Sequence, residues 1–161
     1  MATFASLIDD YLAGLEPLHH AVTGLSPAQL RARPVAGKWS TLEVLAHVAD
    51  MEGVFAERIK RIIAEEEPTF FDADADLWAS KLAYDQRDAT VELWLIEATR
   101  RQLAGILQTL PESARSRRGT HSTAGPLTLE QLLTKVTSHL MHHVQFIDEK
   151  RRALGLAAVR V

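Results

Sequence analysis

Two tetrapeptides of one grammar, STLE at 40–43 and TLEQ at 128–131, each open a long run whose apolar residues recur every three or four places. In such a capping box the hydroxyl accepts from the backbone N–H three residues on, and the Glu or Gln there reaches back to the cap. Both runs therefore start as helices. The second run continues to about Glu66, before Pro68, and the fourth to Gly155. Asp88 offers a cap for a third run that Pro111 stops, and Thr3 one for a first run reaching about Val22. Short helices are expected over 26–30, with Pro27 at the first helical position, and over 74–84. Strand signals are nearly absent, and PESARSRRGTHSTAGP (111–126) reads as turn-rich. Four amphipathic segments of about twenty residues predict an all-α fold, a four-helix bundle with short extra helices in its connections. At 161 residues a single domain over 1–161 is expected.

Composition removes several function classes. Apolar residues make up 47% and charged residues 24%, so a buried core is expected rather than a disordered chain. A formal net charge of -3 gives no general attraction to nucleic acid or to anionic lipid. The basic runs RSRR (115–118) and EKRR (149–152) read as solvated charges of a loop and a helix end. No apolar run approaches the ~20 residues of a membrane span. The opening MATFASLIDDYLAGL carries Asp9 and Asp10 within its pattern and reads as an amphipathic helix, not a signal peptide. A cytoplasmic protein without nucleic-acid or membrane partners is the expectation. The absence of cysteine leaves a metal site only histidine and oxygen ligands, and any reacting thiolate must arrive with a cosubstrate.

Three of the seven histidines crowd into TSHLMHHVQFI (137–147). At 100° per residue the fourth helix buries Leu132, Leu133, Val136, Leu140, Val144, Ile147 and Leu154 on one face. His143 lies within that stripe and His139 on its shoulder, one turn apart, while His142 points away. On the second helix the apolar face is Leu45, Val48, Met51, Phe55, Ile59 and Ile62, with His47 at its border. If the two helices pack there, His47, His139 and His143 can form a three-nitrogen site, since bundle cores build metal sites from facing helices. Spacing alone leaves the rival reading open, that these are packing histidines.

The segments GKWSTLEVLAHVAD (37–50) and GPLTLEQLLTKVTSHLMHHVQFI (125–147) resemble the two signatures of the DinB/YfiT-like superfamily of metal-dependent enzymes. Trp39-Ser40, His47 and the pair His139 and His143 carry the resemblance. It implies a four-helix bundle, often a homodimer, that holds a divalent ion (zinc, nickel or iron) through His47, His139 and His143. Some members of that superfamily are S-transferases or isomerases using a low-molecular-weight thiol cosubstrate. The chain departs from the family pattern at Leu140, where an acidic residue is common, and at Gln145, which follows His143 by two positions rather than three. The function expected is a metal-dependent enzyme on a small-molecule substrate, of thiol S-transferase or hydrolase type. The alternative is a non-catalytic, stress-associated metal-binding bundle.

No catalytic residue is assigned beyond the ligands. Glu43, one turn before His47, is a candidate acceptor for its second ring proton, though its capping box explains it equally well. His121, in the loop before the last helix, is a candidate at the open coordination position or an exposed loop residue. Asp50 and Glu52 are expected to face solvent. Trp39 reads as an anchor at the start of the second helix, and His19 and His20 as helix-end cations.

Overall fold

A computed structural model describes residues 3–157. Among the described residues there are seven α-helices: α1 (Phe4–Ala13), α2 (Leu15–Val22), α3 (Pro27–Arg31), α4 (Thr41–Ala64), α5 (Ala75–Lys81), α6 (Ala89–Leu107) and α7 (Leu129–Ala153). The bundle consists of α1 continued by α2, with α4, α6 and α7; it is the four-helix architecture expected. Both capping boxes form. Ser40 Oγ accepts from Glu43 N at 3.2 Å and Glu43 Oε2 from Ser40 N at 2.7 Å. The Thr128–Gln131 pair repeats this at 3.1 and 2.8 Å. Thr3 and Asp88 cap α1 and α6, and Gly155, at φ 74°, follows the end of α7.

The first run is broken where a single helix was expected. Pro17, early in α2, has no N–H to offer the Ala13 carbonyl, so the helical ladder loses a rung. Gly14 fills the junction because a Cβ there would stand 3.0 Å from Arg100 Nη1 and 3.1 Å from Leu140 Cδ2. The carbonyl of Tyr11 accepts from Arg100. The 74–84 segment is likewise shorter, since α5 ends at Lys81 and Ala83 (φ 50°) leads into a separate 3-10 turn at Tyr84–Gln86.

A larger departure lies in the connections. A small sheet of order β1-β2-β3 joins β1 (Thr69–Phe70), β2 (Arg118–His121) and β3 (Gly125–Thr128), parallel then antiparallel. Strands of two to four residues are too short to show a period of two, so pairing rather than sequence pattern creates them. Gly119 lets β2 close onto the core: a Cβ there would lie 2.6 Å from Phe70 Cε1 and 3.0 Å from the Pro68 carbonyl oxygen. Arg117, from the basic loop, caps α4 through the Ile62 carbonyl at 2.7 Å and the Glu65 carbonyl at 3.1 Å.

The predicted stripes are buried: Leu45, Val48, Phe55, Ile59 and Ile62 on α4, and Leu132, Leu133, Val136, Leu140, Val144 and Ile147 on α7. Met51 and Leu154 are half-buried. Each such side chain contributes roughly 1.5–3 kcal/mol relative to exposure. Within this apolar interior lies an ionic cluster. Arg100, fully buried on α6, donates through Nε to Glu52 Oε1 on α4 at 2.9 Å, and through Nη2 to the same oxygen and to the Val136 carbonyl of α7 at 3.2 Å. Tyr11 of α1 adds its hydroxyl to Glu52 Oε2 at 3.1 Å. One guanidinium thus ties all four bundle helices together. The expectation that Glu52 faces solvent is therefore wrong: its carboxylate is the counter-ion that a buried guanidinium requires. Asp50 is half-buried rather than free, bound bidentately by Arg87 at 2.9 Å.

Among the described residues no helix is long and apolar enough to cross a membrane.

Candidate metal centre

The packing of α4 against α7 brings His47, His139 and His143 together one helical turn from the Arg100 cluster. Their Nε2 atoms converge: His47 to His139 is 3.2 Å and His143 to His139 is 3.1 Å. These three form a group able to hold a metal ion, with ligand atoms all within 4.8 Å of one another. Two nitrogens bound at ~2.0–2.1 Å to one ion stand ~2.9 Å apart at a right angle and ~3.4 Å apart at the tetrahedral angle. Both separations to His139 lie between those limits, and all three ligand atoms lie within 4.8 Å of one another, so the donor set fits a shared divalent cation.

Electrostatics favour the same occupant. Burial pulls the His139 imidazole down to about 4 and His143 to about 3, and it lowers His47 as well. All three rings are therefore neutral at pH 7 and present lone pairs, the form a cation needs. Three nitrogens from two helices leave coordination positions open, the pattern of a catalytic rather than a structural ion.

What orients the rings is aromatic packing. Trp39 lies 5.2 Å from His47 between ring centroids, Phe55 5.7 Å from His139, and Phe146 5.6 Å from His143. Each candidate ligand thus has its own aromatic neighbour. The Nδ1 atoms of all three are buried with no hydrogen-bond partner among the described residues. Glu43 is accordingly not the acceptor for His47. Its carboxylate is occupied by Ser40 N and by Arg33, whose Nε donates at 3.0 Å.

The remaining candidates separate cleanly. His142 is exposed, as its helical phase predicts. His19, half-exposed, pairs with Glu97 at 3.3 Å. His121 is neither in an exposed loop nor in the three-histidine group; it is buried at the end of β2. Its Nδ1 accepts from the Thr123 and Ala124 backbone N–H groups, each at 3.3 Å, which leaves Nε2–H to donate to Asp72 Oδ1 at 3.1 Å. Both nitrogens are committed to holding the β2–β3 turn and the β1 exit. Sequence reasoning missed Phe55, Phe146 and Arg100. For Arg100 a signal existed, because it shares the buried face of α6 with Ile96, Leu103 and Leu107 at helical spacing.

The profile of the DinB superfamily matches residues 13–147. The chain belongs to the DinB superfamily. Among its relatives, the Bacillus subtilis (strain 168) protein named "Putative metal-dependent hydrolase YfiT" is 27% identical over 139 residues, covering 86% of this chain and 78% of the relative. "Putative metal-dependent hydrolase OB0782" of Oceanobacillus iheyensis is 26% identical over 145 residues, 88% and 84% of the two chains. A solved structure of Bacillus subtilis YfiT, described as "a probable metal-dependent hydrolase with an unusual four-helix bundle topology", superposes with a TM-score of 0.87 at 25% identity. The match covers 96% of this chain and 89% of that one. Superfamily membership rests on overall sequence similarity, and the histidine cluster on two Nε2–Nε2 distances and a common limit of 4.8 Å.

Proposed function

We propose that this DinB superfamily protein is a divalent-metal-dependent hydrolase acting on a small molecule, with His47, His139 and His143 as the ligands. The convergence of three neutral imidazoles, with the Nε2 atoms of His47 and His143 3.2 and 3.1 Å from that of His139, carries the reading. The names of the relatives support hydrolysis over the other reactions of the class. When bound, the ion would supply Lewis acidity toward a carbonyl or phosphoryl oxygen and a water of lowered pKa. The chain's part is to hold three imidazoles neutral and in register, with Trp39, Phe55 and Phe146 restricting their rotation and excluding water from the ligand nitrogens.

The test is elemental analysis of protein purified without an affinity tag, followed by a hydrolysis screen over esters, amides and phosphoesters. The expected result is near one zinc, nickel or iron per chain, lost in His47→Ala and His143→Ala, with turnover abolished by chelator. Unchanged stoichiometry in either variant refutes the ligand assignment. Chelator-sensitive turnover confined to thiol–electrophile conjugation replaces hydrolysis with the S-transferase reaction and its thiol cosubstrate. Metal without any turnover favours the non-catalytic binder. Homodimerisation and a cytoplasmic location belong to the same proposal and are tested by sedimentation velocity and cell fractionation.

A further inference from the structure

A cleft of about 440 Å³ lies between the 33–39 loop and α5, lined by Arg33, Lys38, Trp39, Glu43, Asp76 and Ser80 among others. Trp39, which lines the cleft and also packs on the His47 ring, is shared between the cleft and the aromatic collar of the metal centre. Lys38 stands at the junction: it lines the cleft, and its Nζ is 5.9 Å from the centroid of Phe146, the ring packed on His143. On the same ring lies Lys150 Nζ, at 5.7 Å. Lys150 is buried, contrary to the solvated role expected of the EKRR run, and among the described residues its ammonium donates to the Phe146 carbonyl alone, at 3.1 Å.

The cleft lining carries two cations, Arg33 and Lys38, and two carboxylates, Glu43 and Asp76, but they are unequally paired. Arg33 is neutralised by Glu43. Neither lysine has an ion-pair partner among the described residues, and the other acid of the cleft, Asp76, is exposed on the first turn of α5. Burying an ammonium with no carboxylate in contact costs free energy, which a lowered pKa, the field of more distant carboxylates or a nearby anion offsets. Burial accordingly pulls the Lys150 pKa down, assisted by the charge of Lys38 and opposed by Glu149 and Glu43.

We infer that this cleft is a recognition subsite for an organic carboxylate, in which Lys38 contacts the anionic group, Lys150 adds its field from behind Phe146, and Trp39 packs on the apolar body. The inference deepens the hydrolase reading by giving the small molecule a charge and a place beside the metal ligands. The lysine pair, however, does not need the metal in order to bind.

Benzoate and its neutral analogue benzamide are therefore titrated calorimetrically into the metal-free full-length protein at low ionic strength. Benzoate is expected to bind about fivefold or more tightly than benzamide. Lys38→Gln, at an exposed position, and Lys150→Met, which keeps the buried stem, should each weaken benzoate by roughly three- to tenfold and leave benzamide unchanged. Equal or unmeasurable affinity for the two probes, or benzoate binding unmoved in both variants, overturns the inference. Metal stoichiometry, measured separately, reports on the hydrolase reading, so discrimination between the probes in a chain that holds no metal would sink that reading and leave the subsite standing.

Discussion

Glu52→Gln isolates the electrostatic part of the cluster at the centre of the bundle. The substitution is isosteric and leaves an oxygen to accept from Arg100, so it removes charge without opening a cavity. Arg100 and Glu52 are both wholly inaccessible to solvent, with Nε and Oε1 2.9 Å apart. Two unit charges about 4 Å apart at an effective dielectric near 20 attract by ~4 kcal/mol. Because a guanidinium does not deprotonate, the variant must keep an uncompensated buried cation, for which ~3–5 kcal/mol of destabilisation is expected. For a chain of this size that is a fall in Tm of roughly 10–15 °C. Urea unfolding followed by circular dichroism at 222 nm measures it, with the slope against denaturant as a check that the unfolded state is unchanged. Arg100→Met combined with Glu52→Leu should cost less than the sum of the two single changes, since both charges then leave together. A loss below ~1 kcal/mol for Glu52→Gln would refute the claim that an ion pair, rather than hydrogen bonding alone, unites the four helices.

Metal-free protein should lose stability as pH falls from about 6.5 to 5. The folded-state pKa values of His139 and His143, about 4 and about 3, lie below the ordinary 6.5, so the unfolded chain takes up protons first. Stability is then full above ~6.5 and declines by ~2–4 kcal/mol by pH 5, which urea titrations across that range measure; a flat profile would contradict the burial assigned to these rings. Gly119→Ala should destabilise by ~1–3 kcal/mol, because its Cβ would stand 2.6 Å from Phe70 Cε1 and 3.0 Å from Ile62 Cγ1. Thermal melts check this, and an unshifted Tm would show that β2 has room to move. His121→Gln should leave metal stoichiometry at the wild-type value while lowering Tm, since one ring nitrogen is engaged in the β2–β3 turn and the other with Asp72 at the β1 exit. Loss of metal in that variant would place His121 among the ligands after all.

Local chemistry made much of the bundle legible. Capping at Ser40 and Thr128, the stops near Pro68 and Pro111, and the stripes of α4 and α7 all depend on residues within a turn or two of one another, and all appear as expected. The i,i+4 spacing of His139 and His143 belongs to the same class, for a helix places such residues on one face wherever it is put. The break at Gly14 was also within reach, because Pro17 removes a donor whatever surrounds it.

Other features required distant segments to meet. The sheet exists because Pro68 and Phe70 accept from the Thr120 and Ser122 backbones, about fifty residues away, and no two-residue strand announces such a partner. Glu52 was misread because its neighbours in sequence say nothing of Arg100, 48 residues on. His121 was misread for the same reason, since its partner Asp72 follows the neighbouring strand β1, 49 residues earlier in the chain. Sequence alone therefore determined which segments coil and which faces they bury, as each residue's own backbone preferences and periodicity act at short range. Only the tertiary structure decided which charges are buried together, how far apart the three imidazoles stand, and which rings hold them. Apart from the His139–His143 pair on one helix, those are distances between atoms remote along the chain, set by packing, hydrogen bonds and ion pairs that exist only once the segments meet.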